Sequence, residues 1–228
     1  MHKFALSLVV VTALFGAASA HASTFAVTVS EGTAGGGFDT VNGNPFTCGT
    51  SNVACATFTF SGPIALSNKS AQNSTATGDL NSSFGFSTAN VTGYAGSGTV
   101  QAGGTTVATY NTLANFLASS GSAANYAYAS YYTFDLGVLS SGTVLSINHD
   151  DGVSLYQGTT RIGATSSGAI GETRDVVTLA TTGDTVLRYS RQNGTPSILN
   201  VSVPEPATFA LIAGALVGLG LLRRNKQA

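Results

Sequence analysis

Apolar and polar positions alternate in short runs along much of the chain, most clearly after Tyr131. The runs YYTFDLG, TVLSIN, GVSLYQG, DVVTLA, DTVLRYS and SILNVSV follow one another, with Gly, Asn, Asp or Ser between them. A period of two puts Leu145 and Ile147 on one face of the second run and Val153 and Leu155 on one face of the third. It does the same for Leu199, Val201 and Val203 in the last. Two earlier runs, TFAVTV from Thr24 and ATFTF from Ala56, alternate in the same way. The segment between them, EGTAGGGFDTVNGNPFT, is rich in turn formers. Residues 61–130 carry little pattern. Only TLANFLASS, Thr112 to Ser120, reads as a short helix, with Leu113, Phe116 and Leu117 on one face. Short strands at even spacing predict an all-β fold, an antiparallel β-sandwich or jelly roll. No internal repeat is visible.

Composition points the same way. Only 8% of the residues are charged, 43% are hydrophobic, and there are 28 glycines. Gly, Ser, Thr and Asn are weak helix formers. The 228 residues suffice for one good-sized domain or two small ones. The formal net charge of -1 hides an uneven distribution. Between Ser23 and Pro206 the basic residues are Lys69, Arg161, Arg174, Arg188 and Arg191, against every Asp and Glu of the chain, 10 in number. An acidic body repels the phosphates of nucleic acid, which excludes that partner.

The N-terminus has the form of an export signal. His2 and Lys3 precede an apolar stretch from Phe4 to Ala18, and Ala18-Ser19-Ala20 and Ala20-His21-Ala22 offer small-residue cleavage sites. Residues 1–22 are thus expected to form a signal helix, handled by the Sec translocon and removed by signal peptidase after Ala22. The exported body is 23–203. In an oxidising compartment Cys48 and Cys55 are expected to form a disulfide. Two thiols with no nearby His do not complete a zinc shell.

The C-terminus combines three parts. Pro204-Glu205-Pro206 comes first, then an uncharged apolar run from Ala207 to Leu222, then Arg223, Arg224 and Lys226. As a helix the run would be about 24 Å long, against a hydrocarbon core of about 30 Å, and flank adjustments can close that gap. The basic cluster places the terminus on the cytoplasmic side and the body on the far side of the membrane. These three parts in order resemble the PEP-CTERM sorting signal of Gram-negative bacteria, here over residues 204–228. The resemblance implies processing by an exosortase, a membrane-embedded transpeptidase-like enzyme, at or near Pro204-Glu205-Pro206. It also implies a precursor held in the inner membrane, then transfer to the cell surface or extracellular matrix, usually in species that make exopolysaccharide.

Within the body, SINHDDGVSLYQG is the stretch with chemistry in it. His149, Asp150 and Asp151 meet in a turn between two strand patterns, and Gly152 is expected to supply an unusual backbone angle. Adjacent carboxylates repel unless a cation or donors neutralise them, and hard oxygen ligands at a turn suit Ca²⁺. A solvated acidic turn is the plainer reading of the same residues. The stretch from Tyr131 to Val203 also resembles the C-terminal half of the anthrax protective-antigen-type β-sandwich domain of adhesins, toxins and glycosidases. Asp150-Asp151-Gly152, the following apolar-aromatic strand, Tyr189, Asn193-Gly194 and the last strand carry that resemblance. The chain has no Trp, where that family has one near its later strands. In the lectin members the paired Asp binds Ca²⁺, which holds sugar hydroxyls, and by that resemblance Asp150 and Asp151 are the candidate ligands. In other members the pair is structural.

Asp175 and Asp184 flank strand patterns and are expected to shape turns. Arg161, Arg174, Arg188 and Arg191 are expected to pair with carboxylates at the surface, where such pairs contribute little. No G-x-S-x-G elbow precedes a helix pattern, and adjacent Asp150 and Asp151 do not supply the facing carboxylates of a glycosidase. The expected function is therefore non-catalytic: a sorted surface or matrix protein associated with exopolysaccharide, with Ca²⁺-dependent carbohydrate binding. The alternatives are a structural surface component without a ligand and, more remotely, a secreted hydrolase using His149 as base.

Overall fold

The computed structural model describes residues 24–33, 37–68, 80–123, 126–163, 165–168, 170–194 and 196–202. The signal segment 1–22 and the sorting signal with Pro204, Glu205, Pro206, Arg223 and Arg224 lie outside them. Among the described residues no helix is long and apolar enough to cross a membrane.

The body is an antiparallel β-sandwich. Among the described residues twelve strands form it: β1 (Thr24–Gly32), β2 (Val53–Ser61), β3 (Ala65–Asn68), β4 (Val91–Ala102), β5 (Thr105–Thr109), β6 (Ala129–Leu139), β7 (Val144–Asp150), β8 (Val153–Gln157), β9 (Thr160–Arg161), β10 (Thr173–Thr178), β11 (Gly183–Arg191) and β12 (Ser197–Ser202). The larger sheet runs in the order β5-β4-β2-β1-β6-β11-β8-β9 and the smaller in the order β10-β7-β12-β3. Every alternating run read from the sequence is a strand. Leu145, Ile147, Val153, Leu155 and Leu199 all face the core with no exposure. The short helix also forms, as α2 (Leu113–Ala118), capped by Thr112, whose Oγ1 accepts from the Asn115 N–H. The single turn α1 (Asn81–Phe84) has no sequence signature.

The core is aromatic. Phe58, Phe84, Phe86, Phe116, Tyr132 and Tyr189 are all buried, and Phe84 stacks on Tyr189 with ring centroids 5.9 Å apart. Burial of such rings contributes both area and offset-stacking preference. The disulfide joins Cys48 to Cys55 as expected and closes the loop that feeds β2.

Two consequences of topology matter for function. β12 is a central strand, hydrogen-bonded to β7 on one side and β3 on the other. Its last residue, Ser202, sits opposite Ser146. The turns Ser140–Thr143 and Leu179–Thr182 lie at that same end of the sandwich, as does Thr24, which pairs with Ser61 at the start of β1. Asp150, the last residue of β7, lies at the opposite end.

Candidate functional site

The acidic motif stands where β7 leaves the small sheet and crosses to β8 in the large one. Alternation along β7 turns His149 inward with Leu145 and Ile147, so its ring is buried. His149 Nε2 lies 3.0 Å from Asp175 Oδ2, and Nδ1 meets the Asp151 carbonyl. These are its hydrogen-bond partners among the described residues, and neither is a serine hydroxyl. Asp175 lies within β10, opposite Ile147, where it also accepts from the Ser166 N–H at 2.6 Å. It therefore joins Ser166 to His149 of β7, rather than shaping a turn as the sequence suggests.

Asp150 and Asp151 are joined by a cis peptide bond. Both are buried, with 6% and 2% exposure. The Tyr189 hydroxyl donates to the Asp150 carbonyl. Asp151 Oδ2 accepts from the backbone N–H of Gln192 at 2.7 Å and of Asn193 at 3.4 Å. Burial, then the charges of Asp151 and Glu172, push the Asp150 carboxyl up to about 7. Burial raises Asp151 to about 6 against the opposing effect of the Gln192 and Asn193 N–H groups. Both acids thus carry a desolvation cost when ionised, which the neighbouring N–H groups and, for Asp151, the Arg191 guanidinium offset only in part.

Asn193 supplies the chemical test of whether a cation fits. Its side-chain amide meets Asp151, with contacts of 3.0 Å to Oδ1 and 3.2 Å to Oδ2. With the NH₂ turned inward, it donates to both oxygens. That orientation satisfies both groups, so a cation would enter by displacing these hydrogen bonds and turning the Asn193 carbonyl inward. Among the described residues no three His, Cys, Asp or Glu side chains gather around one point. A cation here would draw on Asp151, the Asn193 amide and the adjacent Asp150, an all-oxygen set of the kind that suits Ca²⁺ rather than a softer metal.

Sequence reading found Asp150 and Asp151 and missed their partners. Gln192 packs under the site, exchanging hydrogen bonds with the Phe38 backbone at 2.7 Å in both directions. Thr40, in the segment read as a turn-rich connection, is buried and shares a 2.5 Å hydrogen bond with Ser154 Oγ. Gly152 matters for a reason other than the one expected. Its φ is not in the left-handed region, but a Cβ there would sit 2.2 Å from the Ser167 carbonyl oxygen. Gly152→Ala is expected to lower stability by about 1–3 kcal/mol through this overpacking and to weaken any cation binding, read by thermal unfolding and calcium titration.

The arginines also depart from expectation. Arg161 Nη2 donates to the Thr165 carbonyl, Arg174 Nε to Ser146 Oγ, and Arg188 lies over the Tyr156 ring at 3.9 Å. Arg191 is wholly buried, so it is not a surface residue at all.

Residues 202–224 match the family described as the PEP-CTERM protein-sorting motif. The chain is therefore an exported protein with a C-terminal sorting signal, and an exosortase is its processing partner. No curated protein matches the chain. Among solved structures a PA14 sugar-binding domain from an RTX adhesin is similar, at 13% identity, with 80% of this chain and 92% of that chain covered and a TM-score of 0.45.

Proposed function

We propose that this exported protein is a non-catalytic surface or matrix component that binds Ca²⁺ at Asp150 and Asp151, and through it the hydroxyls of an exopolysaccharide. The observation that carries the reading is the pair of adjacent buried carboxylates, Asp150 and Asp151, with the Asn193 amide against Asp151 as an oxygen donor once turned. Burying two adjacent acids is costly, and the Arg191 guanidinium and the backbone N–H groups offset that cost only in part; a bound cation removes the rest while offering open coordination positions to a diol. Asn193 completes the oxygen set from the far end of β11, so the site exists only in the folded sandwich.

The test is calorimetric titration of the oxidised protein with Ca²⁺, followed by retention on the host exopolysaccharide with calcium or chelator. Saturable binding that Asp151→Asn abolishes, with calcium-dependent retention, is the expected result. An absence of calcium binding in the unsubstituted protein would leave a sorted structural component. Asn193→Ala is expected to weaken calcium about tenfold or more while leaving the fold intact, because one oxygen ligand and its orientation are lost together.

A further inference from the structure

The sorting signal leaves the fold without a spacer, which fixes how the precursor stands on its membrane. This inference rests on the reading that Ala207–Leu222 inserts into the bilayer. The sorting motif match begins at Ser202, and Ser202 is still paired to Ser146 as the last residue of a central strand. Only Val203, Pro204, Glu205 and Pro206 separate that strand from the apolar run. Five residue steps reach at most about 18 Å when fully extended. The headgroup layer outside the hydrocarbon occupies about 5–8 Å of that distance.

The fold extends further toward the bilayer than Ser202 does. Ser146 is level with Ser202, and β7 begins two residues beyond it, at Val144, which adds about 7 Å. The turn Ser140–Thr143 lies beyond Val144. It is tied to the neighbouring turn: the Gly142 N–H donates to the Leu179 carbonyl at 2.8 Å, the Ser141 N–H to Thr182 Oγ1 at 2.9 Å, and Ser141 Oγ to the Ala180 carbonyl at 2.8 Å. The two turns make one tip of serine, threonine and glycine with Ala180 and the buried Leu179, and without a charge in it. Beside that tip stand Val138, 67% exposed, Val144, 37%, and Val176, 60%, which are three of the four exposed large apolar side chains among the described residues. The fourth, Ile170, precedes β10 at the acidic end.

We propose that this tip, with Val138 and Val144 beside it, rests on the lipid headgroups in the precursor, so that the Asp150-Asp151 end points away from the membrane. The contact is imposed by the short tether. Exposed Asp184, opposite Val138, and Asp135, further along β6, oppose free partition onto an anionic surface. Cleavage of the tail therefore releases the body, because what remains is a small apolar face beside acidic residues. The orientation also leaves the candidate ligand end accessible while the tail end is held at the processing enzyme.

The chain has no Trp, so single tryptophans report position cleanly. Signal-processed precursors of residues 23–228 with Val138→Trp, Val144→Trp or Ile170→Trp would be placed in vesicles of phosphatidylethanolamine with a minor share of phosphatidylglycerol, some lipids carrying a headgroup nitroxide. Two substituted positions guard against one of them misfolding. Tryptophan at 138 or 144 is expected to lose about half of its emission at headgroup depth, and tryptophan at 170 to lose little. Insertion of a long Gly-Ser segment after Ser202 is expected to remove the quenching. Equal quenching at both ends, none at 138 and 144 in protein that floats with the vesicles, or quenching that survives the insertion would each overturn the proposal. Protein that does not float at all would instead overturn the anchoring reading on which it rests.

Discussion

Replacing Arg191 with methionine is expected to lower the unfolding free energy by about 3–5 kcal/mol. For a body of this size that is a fall in Tm of about 6–20 °C. The side chain is completely buried. Its Nη1 donates to Asn81 Oδ1 at 2.9 Å and to the Tyr132 hydroxyl oxygen at 3.0 Å, and its guanidinium lies over the Phe84 ring at 4.2 Å. Tyr132 in turn donates to Asn81 Oδ1, and Asn81 Nδ2 donates to the Phe116 carbonyl. The guanidinium thus ties β11 to β6, to α1 and, through Asn81, to α2. Methionine fills most of the volume but supplies no donor, so the loss comes from the network rather than from a cavity. Urea unfolding with an unchanged slope is the measurement; a loss below about 1 kcal/mol would mean the network is energetically slack. Gly121→Ala tests the same point sterically, because its Cβ would lie 2.1 Å from Arg191 Nη1.

That network also marks where sequence reading fails. Asn81 and Arg191 are far apart in the chain, in segments with unlike patterns, and nothing local in either announces the other. The runs after Tyr131 were legible because alternate side chains face the apolar core and those between are largely polar, buried or not, as Ser154 is between Val153 and Leu155 in β8, which writes a period of two into the sequence. β4 was not legible, although it is the longest strand, because three of its residues are glycine. Two of them are there for space: a Cβ at Gly96 would lie 2.2 Å from the Tyr110 carbonyl oxygen, and one at Gly98 would lie 2.2 Å from that of Val53. A strand that needs close backbone approach sheds the β-branched side chains by which strands are recognised. The site shows the same division. Asp150 and Asp151 are neighbours and visible as a pair, whereas Gln192 and Asn193 reach them only because β11 pairs with β8 and ends beside the β7–β8 crossing. Asp175 looked like a turn residue because Asp favours turns, and its half-buried place within β10 beside His149 is a tertiary fact that overrides that preference.

Calcium affinity is expected to fall roughly a thousandfold between pH 8 and pH 5, and calcium is expected to reverse the pH dependence of stability. Without a cation, Asp150 at about 7 and Asp151 at about 6 both lie above the ordinary carboxyl value of 3.8. The folded state then holds protons that the unfolded chain has released. The stability due to this pair is fully present below about pH 4 and is lost as pH rises to about 7. Asp150→Asn, which keeps the shape without the charge, is expected to stabilise the calcium-free protein at pH 8. A cation inverts the sign, because it binds the carboxylates and must displace their protons. At pH 5 both carboxylates are ionised together in only about one molecule in a thousand, the two titrating as a coupled pair, and this sets the size of the affinity loss. Thermal unfolding against pH, with saturating calcium and with chelator, should give two curves of opposite slope that converge toward pH 5. Parallel curves would place calcium elsewhere or nowhere, whereas opposite slopes that collapse in Asp151→Asn would tie cation, acid pair and fold stability to one site.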